Sequence, residues 1–217
     1  MTMSLIRTTH EVVEGRVIRI AERPLSFTQF LDMVAENDDL ELVKGVLIER
    51  MAAQYRHERR FVWLLFLLNG YVRQRGLGVV LGSRTPVEID AFGGRLPDLL
   101  FVRADREHIV QEKAVYGAPD LVIEILSPND RPSDVLALET DYRNIGVAEI
   151  VFVDASKGRL LVLRRRENDY AVETLSQGAF HAGTVPGFHF QIEQLFEDPL
   201  PNEFALLQSL LAENPTP

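Results

Sequence analysis

Three rhythms of apolar and polar residues divide this chain into elements. Helical spacing appears first at Phe27, Phe30, Leu31 and Val34, with Ser26 placed to cap the helix and Asn37 near its end. It returns over residues 55–74, where Phe61, Leu64, Leu65, Leu68 and Tyr71 or Val72 fall on one side and Gly76 follows as a C-terminal cap. Two short apolar segments, Leu40-Glu41-Leu42-Val43 and Val46-Leu47-Ile48-Glu49, read as a hairpin turning at Lys44-Gly45. On alternation alone, Glu41 and Glu49 fall on a solvated face. Near-continuous apolar runs at 96–102 and 120–126 read as buried strands.

The remaining pattern is punctuated by turns. Residues 78–82 and 85–89 are short strands, and Phe92-Gly93-Gly94-Arg95 is a turn into the strand at 96–102. Residues 104–116 are polar and read as a loop with a short helical piece. After Ser127-Pro128 breaks the strand at 120–126, Ser133 or Asp134 caps a helix running to Arg143 and ending at 144–146. Residues 150–154, 159–163 and 170–174 form a meander, and 202–212 is a helix presenting Phe204, Leu207 and Leu211 to a packing partner. No clear periodicity marks residues 1–24. Strands in the first half and strand-helix-strand in the middle predict an α/β protein with one mixed central β-sheet flanked by helices. The division is a 1–24 extension, a 25–197 domain and a 198–217 C-terminal helix and tail.

Composition adds exclusions. With 217 residues the chain has material for a full core, and it has no cysteine, which removes disulfides, thiolate metal sites and cysteine nucleophiles. The longest apolar run, 61–68, is far too short to span a bilayer. Charges occupy the N-terminal stretch where a secretory signal would be apolar, so a cytoplasmic protein is expected. The net charge of −9 argues against indiscriminate affinity for polyanions. Local basic groups are the exception: Arg56, Arg59 and Arg60 on the long helix, and Arg131, are candidate nucleic-acid contacts, whereas Arg164-Arg165-Arg166 reads as a solvated face.

Two acids stand out against this background. Asp98 opens one apolar strand and Glu124 interrupts another in Ile123-Glu124-Ile125. An ionised carboxylate among apolar neighbours is costly unless a cation or donor compensates it. Pro97-Asp98 and Pro119-Asp120 each fit a strand-entry turn in which Asp bonds nearby backbone N–H groups. That explanation suffices for Asp120, but Glu124 lies well past any turn. A divalent cation shared by Asp98 and Glu124 is the alternative, and hard cations of this kind take carboxylate and carbonyl oxygens while leaving positions for water and phosphate. His57, in the first turns of the long helix, reads as a surface or capping residue.

Taken together, these landmarks resemble the Uma2 family, also called DUF820. They are Glu41 with Lys44-Gly45, His57 opening a helix, Arg95-x-Pro97-Asp98-Leu99, Pro119-Asp120-Leu121-Val122-Ile123-Glu124-Ile125-Leu126-Ser127-Pro128, Tyr142 with Gly146-Val147 and Glu149, Phe152-Val153-Asp154, and Val185-Pro186-Gly187-Phe188. The similarity covers residues 25–197. It implies a restriction-endonuclease-like fold of the PD-(D/E)xK superfamily, a metal-dependent DNA endonuclease using Mg²⁺ or Mn²⁺, and a homodimer. By the same resemblance, Asp98 and Glu124 hold the metal with the carbonyl of Ile125, and Glu41 is an early acid brought toward it. His57 matches a frequent family histidine.

One position departs from the resemblance. The family's catalytic lysine falls four residues before the tyrosine matching Tyr142, and that position is Leu138. The chain's lysines are Lys44, Lys113 and Lys157, so replacement by lysine is excluded, which leaves Arg131 and Arg143 as candidates. Leu138 also fits a core stripe with Val135 and Tyr142. Two functions follow: a metal-dependent DNA endonuclease, or a catalytically degenerate nuclease fold serving as a nucleic-acid or protein binding module.

Overall fold

The structure, a computed structural model, describes residues 8–13, 16–33, 40–49, 54–82, 84–128, 130–167 and 169–213. The chain runs β1 (Thr8–Val13), β2 (Arg16–Ala21), α1 (Phe27–Met33), β3 (Leu40–Val43), β4 (Val46–Glu49), α2 (Tyr55–Arg75), β5 (Gly78–Gly82), β6 (Val87–Asp90), β7 (Gly93–Arg95) and β8 (Leu99–Arg103). After a 3₁₀ turn at Ala104–Ile109 come β9 (Leu121–Leu126), α3 (Pro132–Ile145), β10 (Glu149–Asp154), β11 (Arg159–Arg166) and β12 (Asp169–Leu175). The chain closes with β13 (Ala179–His181), β14 (His189–Gln191), a 3₁₀ turn at Ile192–Phe196 and α4 (Glu203–Ala212).

The expected mixed sheet is present, in the order β12-β11-β10-β9-β8-β5. Its one parallel pair is β9 with β10. Parallel neighbours need a crossover, and α3 supplies it. Both faces of this sheet are covered. On one, Leu99, Phe101, Leu121 and Ile123 pack with Trp63, Leu64, Leu67 and Leu68 of α2 and Leu207 and Leu210 of α4. On the other, Leu100, Val102, Val122 and Phe152 pack with Tyr142 of α3. Burial on both sides is why β9 reads as continuous apolar sequence instead of alternating.

The expectation of one sheet is corrected, because the other strands of the first half build a separate antiparallel sheet, β1-β2-β4-β3-β7-β6. Two errors hid it. Residues 8–13 and 16–21 pair as a ribbon, Thr8 opposite Ala21 through Val13 opposite Arg16. Gly93–Arg95 is a strand rather than a turn, with Gly94 opposite Leu42. No clear periodicity in the sequence announces the first ribbon, and Gly93-Gly94 carries turn chemistry because Phe27 needs the space a Cβ would take at Gly94. The α1 helix covers one face of this sheet, with Phe27 and Phe30 against Leu40, Leu42 and Leu47.

Helix ends mostly follow their sequence signals. Ser26 and Gln29 form a reciprocal cap, Gln29 N–H donating to Ser26 Oγ at 3.3 Å and Ser26 N–H to Gln29 Oε1 at 3.0 Å. The predicted end of that helix, including Val34 and Asn37, lies outside the described residues. Gly76 closes α2 in the left-handed conformation. The start of α3 differs: Pro132 is its first residue and Arg131 its cap, so Ser133 and Asp134 lie within the first turn. In the α4 helix, Leu207 packs on α2, while Phe204 is 58% exposed.

Candidate active site

Asp98 and Glu124 meet because of strand register. In the antiparallel pair of β8 and β9, Leu99 lies opposite Ile123, which brings Asp98, the residue just before β8, up to Glu124. Both acids are buried, at 2% and 4% exposure. Asp98 N–H donates to Glu124 Oε2 at 3.3 Å, and Asp98 Oδ2 accepts the N–H of Ile125 at 2.8 Å. His57 is drawn in as well, its Nε2 lying 3.2 Å from Asp98 Oδ2. That is a correction: His57 is not a surface or capping residue, because the first turn of α2 aims it at the site.

Near Glu124 stand Tyr142, Arg95 and Asp141, for which no site role was legible in the sequence. Tyr142 donates its hydroxyl to Glu124 Oε1 at 2.5 Å. Burial first, then the neighbouring charges of Glu124 and Glu41, hold the phenol well above its ordinary pKa, so it stays a donor. Glu41, on β3, lies not on a solvated face but beside Arg95, whose Nη1 reaches Glu41 Oε2 at 2.8 Å. Arg95 also binds Asp141 Oδ2 through Nε at 2.8 Å and Nη2 at 2.7 Å. Burial acts to lower the Arg95 pKa, but the Glu41 and Asp141 carboxylates outweigh it and the guanidinium is raised above its usual value. Arg95 lies 54 residues from Glu41 and 46 from Asp141. No local pattern could have signalled either contact.

The predicted cations divide. Arg56 and Arg59 are exposed on the first turns of α2, Arg56 pairing loosely with Asp198 at 3.4 Å. Arg60 is engaged inward: its Nε donates to the Leu195 carbonyl, and its guanidinium lies over Phe196. Arg131 is half-buried at the start of α3. Arg143 is bound to Glu139 and Asp169 and stacks over Tyr170, which commits it elsewhere. Leu138 packs in the core on the α3 side of the sheet with Val135, as its spacing suggests. Arg164, expected on a solvated face, instead reaches the buried Glu149 at 2.8 Å.

Asp120 does not act as a local turn cap: its carboxylate accepts the N–H of Arg103, 17 residues back, at 2.9 Å and pairs with Arg106 Nη1 at 2.7 Å. Among the described residues, no three of His, Asp and Glu form a ready-made metal cage. The donor set nevertheless suits a hard cation. Asp98 and Glu124 are both buried and linked through the Asp98 N–H, and an Mg²⁺-like ion that keeps several waters needs only one or two carboxylates.

Residues 27–193 match the model of the Uma2 family, described as "Putative restriction endonuclease". Among solved structures, the fold is similar to the crystal structure of "a putative nuclease belonging to DUF820" from Anabaena variabilis. The two share 18% identity with a TM-score of 0.68, over 80% of this chain and 98% of the other. No curated protein matches the chain.

Proposed function

Because the chain belongs to the Uma2 family and buries Asp98 beside Glu124, we propose that it is a nuclease hydrolysing phosphodiester bonds of DNA with Mg²⁺ or Mn²⁺. The observation that carries this reading is that two buried carboxylates are tied together, Asp98 N–H donating to Glu124 Oε2 and Ile125 N–H to Asp98 Oδ2. Asp98, Glu124 and the backbone carbonyl of Ile125 would hold the cation, with Glu41 close by. When bound, such an ion polarises a phosphate and lowers the pKa of its water.

The chain's own side chains supply the surroundings. The Ile125 N–H and His57 orient Asp98, and Tyr142 orients Glu124. Arg56 and Arg59, exposed on the α2 turns that carry His57, are placed for phosphate contacts that position a duplex without reading its sequence. The dimer belongs to the same proposal, with the exposed Phe204 of α4 on the mating face. A second reading, a binding module without catalysis, is favoured by Leu138. That side chain cannot supply the charge stabilisation of a lysine, whose loss typically costs about two to three orders of magnitude in rate.

Nicking of supercoiled plasmid in Mg²⁺ or Mn²⁺ tests the choice. The nuclease reading expects cutting by the wild type that disappears in Asp98→Asn. Plasmid retention on a filter without any cutting would support the binding module.

A further inference from the structure

Asp141 and Tyr142 are consecutive on α3, yet they hold acids on different sheets. Successive helical residues diverge by about a hundred degrees, which lets Tyr142 point at Glu124 on β9 while Asp141 grips Arg95 and, through it, Glu41 on β3. Both oxygens of Glu124 are thereby assigned, one to the Tyr142 hydroxyl and the other to Asp98 N–H.

Packing alone does not explain this network. A phenylalanine would fill the same volume as Tyr142 without a hydroxyl that must be satisfied. Apolar residues of similar volume commonly replace a buried charge network such as Glu41-Arg95-Asp141 without loss of stability. What the network does provide is fixed orientation of two acids, and side chains that orient metal ligands are typically worth about 10- to 100-fold in affinity.

We propose that this turn of α3 is a positioning element, in which Tyr142 sets Glu124 for a divalent cation held with Asp98, and Asp141, through Arg95, sets Glu41 on the adjoining sheet. The proposal rests on the metal reading of the site. It gives α3 a role that does not need a lysine at position 138, because the helix acts on the acids and not on the reacting phosphate.

Calorimetric titration of the full chain with Mn²⁺ tests it, without any need for turnover. Wild type should bind, and Asp98→Ala should not. Tyr142→Phe and Asp141→Asn should each bind about 10- to 100-fold more weakly while still melting cooperatively. In a Glu124→Gln background, Tyr142→Phe should weaken binding little further, a coupling that a merely structural tyrosine would not show. Should Tyr142→Phe fail to fold, Asp141→Asn carries the test, since Asp141 is partly exposed at 28%. Affinities within about twofold of wild type overturn the positioning role. Absence of Asp98-dependent Mn²⁺ binding in the wild type overturns the metal reading and this inference with it.

Discussion

Asp98 Oδ2 accepts the backbone N–H of Ile125 at 2.8 Å, so the first acid is fastened to the strand that carries the second. Returned by the Asp98 N–H to Glu124, this link makes the two carboxylates a unit at the bend where the chain enters β8. Substitution at either acid should therefore act mainly on chemistry. For Asp98→Asn, which keeps the shape, we expect plasmid nicking to fall at least roughly a thousandfold. Cation stabilisation of several kcal/mol would be lost, with every 1.4 kcal/mol worth about tenfold. Nicking retained within about tenfold would remove Asp98 from the machinery.

Leu138→Lys probes the departure from the family pattern. Leu138 is only half-buried, so a lysine can extend its ammonium past the core edge. If a missing charge limits the rate, cutting should rise by about two to three orders of magnitude, measured in the same nicking assay. An unchanged rate would mean that positive charge at this point of α3 is not what limits the protein.

Arg95, on β7, ties Glu41 of the same sheet to Asp141 of α3. Arg95→Met leaves Glu41 and Asp141 facing each other without the guanidinium between them, and breaking a buried pair in this way costs about 3–5 kcal/mol. Urea denaturation should show the loss as a lower midpoint. Adding Glu41→Gln should recover part of it, because one stranded charge is then removed.

Gly94 tests how the second sheet seats α1. A Cβ there would lie 2.5 Å from Cε2 of Phe27, so Gly94→Ala forces the aromatic ring or the strand to move. Overpacking of this kind costs about 1–3 kcal/mol, and thermal melting would report it. Phe27→Leu in the same chain should relieve part of the penalty.

Asp154 gives a pH dependence. Burial alone would raise its pKa, but hydrogen bonds from Ser156, Lys157 and Arg159, together with the Lys157 charge, hold it below the ordinary carboxylate value. A carboxyl with its folded pKa below the unfolded value of about 3.9 adds stability that is present above that pH and is lost as pH falls through the folded pKa. Asp154→Asn should lower the urea midpoint at pH 7, and the gap to wild type should shrink on acidification below about pH 4. A gap that grows with acid would contradict the assignment.

Local sequence determined what short-range physics can determine. Helical spacing placed α2 and the Ser26 cap, continuous apolar runs placed β8 and β9, and Glu124 stood out because nothing within its strand accounts for an acid there. Tertiary structure decided the rest. The ribbon of residues 8–13 and 16–21 has no clear periodicity in the sequence to announce it, and Gly93-Gly94 looks like a turn until Phe27 is seen to need the room. His57, Arg95 and Asp141 carry no local mark of their roles, since their partners lie 41 to 54 residues away and meet only when α2, α3 and the two sheets pack. Periodicity reports which face of an element is buried. Which charged side chains converge on Asp98 and Glu124 depends on how the elements dock, and that information is spread over the whole chain.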